Sequence, residues 1–188
     1  MRLLRREKAL WWATPMGERL THLLDHPAKR AAFSSPPVPV LVWEAAPPDR
    51  TTPELLWVTN PKIRIDRSSD DPLAYRVEKS SKQNAFGLGI TLGRATNNDV
   101  VVDDPSVSRF HAYFQLDGHS HVWHLVDAES STGTFVGGSR LPPRRPAPLA
   151  DRSAFTVGHV ELRFFTPDSF EYFLRTWPRQ TPPRVGKP

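Results

Sequence analysis

The 188-residue sequence predicts a mainly β protein: a sandwich of two sheets, preceded by an N-terminal helical extension and a Pro-rich linker and followed by a C-terminal helix. Three observations predict it. From Leu73 onward, short apolar alternations recur between turn signals roughly every ten residues, which is the pattern of packed antiparallel sheets. Apolar positions at helical spacing lie near the two ends instead, at Met16, Leu20, Leu23 and Leu24 and at Phe170, Phe173, Leu174 and Trp177. Twenty Pro residues punctuate the chain into pieces.

Residues 1–33 read as the helical extension. Met1 to Trp12 interleaves Arg2, Arg5, Arg6 and Lys8 with Leu3, Leu4, Leu10, Trp11 and Trp12, as in a short helix that folds its Leu and Trp against the protein. Thr14 has the chemistry of an N-cap with Pro15 at the first helical position, giving a helix to about Asp25; Ala28 to Phe33 adds another turn or two. Residues 34–69 read as the linker. Val40 to Trp43, Leu55 to Thr59 and Ile63 to Ile65 are short β-like runs within it, expected to form a small sheet beside the main domain.

Residues 70–166 read as the sandwich, with strands at Leu73–Lys79, Gly89–Leu92, Val100–Val102, His111–Leu116, Val122–Val126, Thr134–Val136, Ser153–Val157 and Val160–Phe165. Residues 167–177 form the last helix, capped by Thr166, started by Pro167 and buried along Phe170, Phe173, Leu174 and Trp177. Residues 178–188 contain no acidic residue and read as a flexible tail.

Composition narrows the function classes. With 25 Lys plus Arg against 20 Asp plus Glu, a net charge of +5 favours anionic partners, though the basic residues are scattered. No Cys means no disulfide and no thiolate metal site. No apolar run approaches the ~20 residues of a membrane span, and Met1 to Trp12 lacks the features of a cleaved signal, so a cytoplasmic location is expected. His119, His121 and His124 suggest zinc, but in a strand 119 and 121 face one side and 124 the other. Asp103, Asp104 and Pro105 read as a turn. Ser108, His111 and Asp127 could be imagined as a hydrolase triad, yet nothing like a nucleophile elbow surrounds Ser108. No basic helix or RNA-recognition string supports nucleic-acid binding.

Two strings carry chemistry: LGRATNNDVVVDDPSVSRFHA, from Leu92 to Ala112, and SSTGTFVGG, from Ser130 to Gly138. Gly93 and Arg94 close an apolar alternating run, so a strand should end there with its guanidinium projected into a loop. A guanidinium offers a rigid fork of donors that matches phosphate oxygens in pairs. Ser108 and Arg109 follow the turn at Pro105 and add a hydroxyl and a second cation. Ser131 and Thr132 stand in another loop, before Gly133 lets the backbone turn. Donors gather with no carboxylate base among them, which suits holding a phosphate rather than cleaving its ester.

Together these strings resemble the phosphothreonine-binding loops of the forkhead-associated (FHA) domain, over roughly Leu73 to Phe165. The resemblance implies that Arg94 contacts the phosphate, Ser108 bonds a phosphate oxygen, Arg109 borders the peptide, and Ser131 fills the family's loop-hydroxyl position, normally Thr. It also implies that Gly93, His111 and Gly133 shape the loops. Thr132 departs from the family, which favours Asn there, and puts the grip on the peptide main chain in doubt, because a short hydroxyl reaches less far than an amide. Gly137 is a second departure, at a position where Asn is common.

The function so implied is non-catalytic recognition of phosphothreonine on a protein partner, or on a Ser/Thr protein kinase itself, in kinase signalling. No cofactor, metal, small-molecule substrate or nucleic acid is expected. The alternatives are a phosphate-independent scaffold with the same fold and, behind it, a nucleic-acid binder. Thr51 and Thr52 lie in the segment PPDRTTPE, which reads either as a plain linker or as a stretch that a kinase could reach and that, once phosphorylated, would occupy the domain's own loops or a neighbour's.

Overall fold

In the computed structural model, which describes residues 17–44, 71–80 and 89–177, the alternating apolar residues build two sheets that face each other across one core. The strands are β1 (Glu18–Arg19), β2 (Val40–Trp43), β3 (Leu73–Arg76), β4 (Ile90–Gly93), β5 (Val100–Val101), β6 (Ala112–Leu116), β7 (Trp123–Asp127), β8 (Thr134–Val136), β9 (Ser139–Arg140), β10 (Pro146–Leu149), β11 (Ala154–Val157) and β12 (Val160–Phe165). The helices are α1 (Leu20–Asp25), α2 (Pro27–Phe33) and α3 (Pro167–Thr176). The larger sheet runs β1-β3-β2-β12-β11-β8-β9 and the smaller β10-β7-β6-β4-β5. Pairing is antiparallel except between β4 and β5, where Leu92 lies opposite Val100.

Between the sheets, Leu41, Phe155, Leu162 and Phe164 of one interdigitate with Leu92, Ala112, Phe114 and Leu125 of the other, all at most 1% exposed. Phe114 meets Phe155 edge-on with ring centroids 6.0 Å apart. Such T-shaped pairs are favoured by the ring quadrupole as well as by burial. A second core lies on the other face of the larger sheet. There Leu20 and Leu23 of α1, Phe33 of α2 and Phe170 and Leu174 of α3 cover Val40, Val42, Ala74 and Phe165, with Phe173 and Trp177 packed against them. The apolar stripe of the last helix is therefore buried against both the sandwich and the N-terminal helices. Glu171 ties the layer together, accepting from Arg30 and from the Ser34 hydroxyl at 2.6 Å.

The structure departs from the sequence reading in four places. Val40 to Trp43 forms no separate small sheet: it is β2, inserted between β3 and β12, with Leu41 opposite Tyr75 on one side and Phe164 on the other. Its flanking prolines fall outside the strand, so they punctuate it without breaking the ladder. Second, α1 starts at Leu20, because Glu18 and Arg19 pair with β3 and Asp71 accepts the Thr21 amide at 2.9 Å, satisfying a free donor of the first turn. Third, Thr166 occupies the N-cap position of α3, but its hydroxyl meets Asp151 at 3.1 Å instead of capping an amide.

Fourth, β9 and β10 were not legible as strands. Gly137 and Gly138, with φ +57° and +78°, make the two-residue turn that pairs β8 with β9; this left-handed requirement suits Gly as well as the Asn common there. Pro146 and Pro148 argue against a strand, yet β10 lies at the edge of its sheet, where a missing amide donor is tolerated. Met1 to Trp12, the Thr14 cap, Thr51 and Thr52, the runs Leu55–Thr59 and Ile63–Ile65, and the tail lie outside the described residues.

Because Leu41 is wholly buried in β2, Leu41→Ala should destabilise the fold by about 2 to 5 kcal/mol in chemical denaturation. A linker position would move stability by no more than about 0.5 kcal/mol.

Candidate functional site

β4, β7 and β11 end, and β6, β8 and β12 begin, at the same end of the sandwich, so the connecting loops at 94–99, 102–111, 128–133 and 158–159 cluster there. β4 delivers Gly93 and Arg94 into this cluster. A Cβ on Gly93 would stand 2.4 Å from the Arg109 carbonyl oxygen and 2.9 Å from Asn98 Nδ2, so only Gly allows the two loops to close. They are then stitched by Arg94 N–H to Ser108 O at 3.0 Å and Ala95 N–H to Arg109 O at 3.2 Å. Arg94 and Arg109 are both exposed, and among the described residues neither has a carboxylate partner.

His111 is the joint between loops. Its side chain is fully buried. Ser108 N–H donates to Nδ1 at 3.0 Å, so Nδ1 must be the unprotonated nitrogen and Nε2 carries the hydrogen, which it gives to Gly133 O at 3.1 Å. The His111 backbone adds further ties, its amide to Leu92 O and its carbonyl accepting from Ala128 N–H, both at 2.9 Å. Burial lowers the imidazole's pKa, against the opposing influence of the Gly133 hydrogen bond and the Asp127 charge. The ring is therefore a neutral strut between the two loops.

Across the joint, Ser131 N–H donates to Ser108 Oγ at 3.1 Å, and the two serine hydroxyl oxygens are 3.5 Å apart. Ser108 and Ser131, 23 residues apart in sequence, thus meet directly. Thr132 points elsewhere: its hydroxyl donates to Ser106 O at 2.9 Å. Gly133 holds φ +90°, which a side chain would strain.

Three residues that organise the site had been read otherwise from the sequence. Asp127, nearly fully buried, accepts from the Ser130 amide at 3.1 Å and from the Ser130 and Thr134 hydroxyls at 2.6 Å each. Ser130 Oγ in turn accepts the Gly133 amide at 3.0 Å. Asn98 Nδ2 donates to Ala95 O and Arg109 O, both at 2.7 Å, and Asp99 accepts from the Thr91 amide at 2.8 Å. The sequence reading assigns Asn98 and Asp99 no role of their own and considers Asp127 only as a triad member; the available signal was the spacing of Asp127, Ser130 and Thr134.

The hydrolase arrangement is absent from the geometry, since His111 Nδ1 takes the Ser108 amide and Asp127 is engaged by Ser130 and Thr134. The turn read at Asp104 forms, with Asp104 accepting the Ser106 amide and hydroxyl at 2.9 and 2.6 Å. His119 and His121 fall in the loop between β6 and β7, where Asp117 accepts the His119 amide at 2.9 Å, while His124 lies on β7.

A sandwich with hydroxyl- and guanidinium-bearing loops gathered at one end has the form of an FHA domain. Residues 90–158 match the FHA domain family model. Over 74 residues the chain is 36% identical to the glycogen accumulation regulator GarA of Mycolicibacterium smegmatis, covering 39% of this chain and 44% of that protein. Over 81 residues it is 36% identical to kanadaptin of Homo sapiens, covering 38% of this chain and 10% of that protein. A solved structure of the N-terminal FHA domain of S. cerevisiae Rad53p, in complex with a phosphothreonine peptide, aligns at 20% identity over 53% of this chain and 88% of that one, with a TM-score of 0.42. The chain thus spans less than half the length of either curated relative.

A buried imidazole whose pKa is lowered from 6.5 refuses a proton that the unfolded chain accepts. Its contribution to stability is complete above about pH 6.5 and is lost as pH falls below that value. In nitrogen NMR His111 should hold its Nε2–H neutral form to a pH below the ordinary imidazole value; a ring that takes up a proton at or above that value would break the assignment.

Proposed function

We propose that this protein is a non-catalytic reader of phosphothreonine on a protein partner, acting downstream of a Ser/Thr protein kinase in the cytoplasm and binding neither nucleic acid nor a cofactor. FHA domains are phosphopeptide-binding modules and generally non-catalytic. The observation that carries the reading is the union of loops distant in sequence: Arg94 is tied by its backbone to Ser108, and Ser108 to Ser131. Hydroxyl and amide donors at these positions satisfy a phosphate oxygen, and the exposed Arg94 side chain supplies the charge. Arg109 borders the peptide, and Gly93, His111 and Gly133 hold the loops in shape.

Thr132 favours a second reading, a scaffold that binds partners without phosphate. Its hydroxyl is engaged by Ser106 O, so it offers a peptide main chain less than the Asn usual in the family. One variant separates the two. Under the reader assignment, Arg94→Ala weakens a phosphothreonine peptide by about 2 kcal/mol or more, a loss of roughly thirtyfold, in calorimetry on a variant with an unchanged melting curve. Equal affinity for phosphorylated and unphosphorylated peptide would instead establish the scaffold. Reader affinity should also fall as pH drops through about 6, where the phosphate loses its second charge; a flat profile from pH 5 to 7.5 excludes recognition of the dianion.

A further inference from the structure

The hairpin of β8 and β9 places a cation against the loop that carries Ser131 and Thr132. Arg140 lies opposite Phe135 across the hairpin, and the next residue, Leu141, is pinned by its amide to Thr134 O at 2.8 Å. From this fixed backbone the Arg140 side chain folds back over Gly133. Its Nε is 2.6 Å, and its Cζ and Nη2 are 3.1 Å, from the point where a Cβ on Gly133 would stand. Gly133 is favoured by its φ of +90°, and its bare Cα is where the guanidinium rests.

Charge makes this placement informative. Arg144, the next Arg along the chain, is paired with Glu129 at 2.9 Å. The Arg140 side chain is exposed and, among the described residues, has neither a carboxylate partner nor a hydrogen bond. A guanidinium laid flat on one backbone keeps its outer N–H groups free in a fork that matches a carboxylate. Its neighbour Thr132 spends its hydroxyl on Ser106 O.

We infer that Arg140 is a specificity-determining residue that selects phosphothreonine segments bearing an Asp or Glu on the side facing the 131–133 loop. This rests on the reader assignment and extends it to the class of sequence read. The pair would be solvent-exposed, so its effect is a modest preference that salt screens, not the main source of affinity.

The test measures fluorescence anisotropy with phosphothreonine peptides in which each flanking position in turn is Asp, Ala or Lys, against wild type, Arg140→Ala, Arg140→Lys and Arg140→Glu. Wild type should prefer Asp to Ala at a position on one side of the phosphothreonine by up to about fivefold, less at high salt. Arg140→Ala should lose that preference, Arg140→Lys should keep part of it, and Arg140→Glu should prefer Lys, all while still requiring the phosphate. If wild type needs the phosphate but shows no acidic preference, or Arg140→Ala retains it, the inference is overturned and the reader assignment stands. If wild type does not distinguish phosphorylated from unphosphorylated peptide, both fall.

Discussion

A single neutral imidazole holds the loops of this domain in register. His111 accepts the Ser108 amide hydrogen at Nδ1 and donates its ring Nε2–H to Gly133 O, at 3.0 and 3.1 Å. Only a ring with one donor and one acceptor at opposite corners can join both, and only its uncharged form has that pairing. A charged ring would present two donors, one of them facing the Ser108 amide. Burial therefore performs a task beyond packing: it keeps the proton off Nδ1 and so keeps the serines together.

Around this joint the site is built from buried polar groups that face inward so that others are free to face outward. Asp127 takes two hydroxyls and an amide, and Asn98 takes two carbonyls. Satisfied networks of this kind rigidify loops, because each partner left behind would be a desolvated polar atom. The side chains not absorbed by the network, Arg94 and Arg109, stand at the rim.

Much of this was legible in the sequence, and the rest was hidden for identifiable reasons. Eight strands from Leu73 to Phe165 could be placed because a buried face imposes a period of two, and the loop residues because glycines and hydroxyls stand at fixed offsets from them. β2 was assigned to a linker because its prolines drew attention from four apolar residues with no alternation, the mark of a strand covered on both faces. β10 was missed because its two prolines are tolerable only at an edge, and edge position is a property of topology. Which polar side chains are spent on the protein's own backbone and hydroxyls, as those of Thr132 and Asp127 are, depends on partners across the fold that spacing along the chain does not reveal.

The insertion of β2 beside β12 bears on how the protein is made. Val40 must find Phe165, and Val42 must find Arg163, across nearly the whole described chain. During synthesis the apolar Val40 to Trp43 can pair with β3 long before β12, its other neighbour, has been made. Ordering so distant a pair delays closure of the larger sheet and leaves one edge of β2 unpaired meanwhile, a period in which chaperones or a locally folded smaller sheet would shelter the nascent chain.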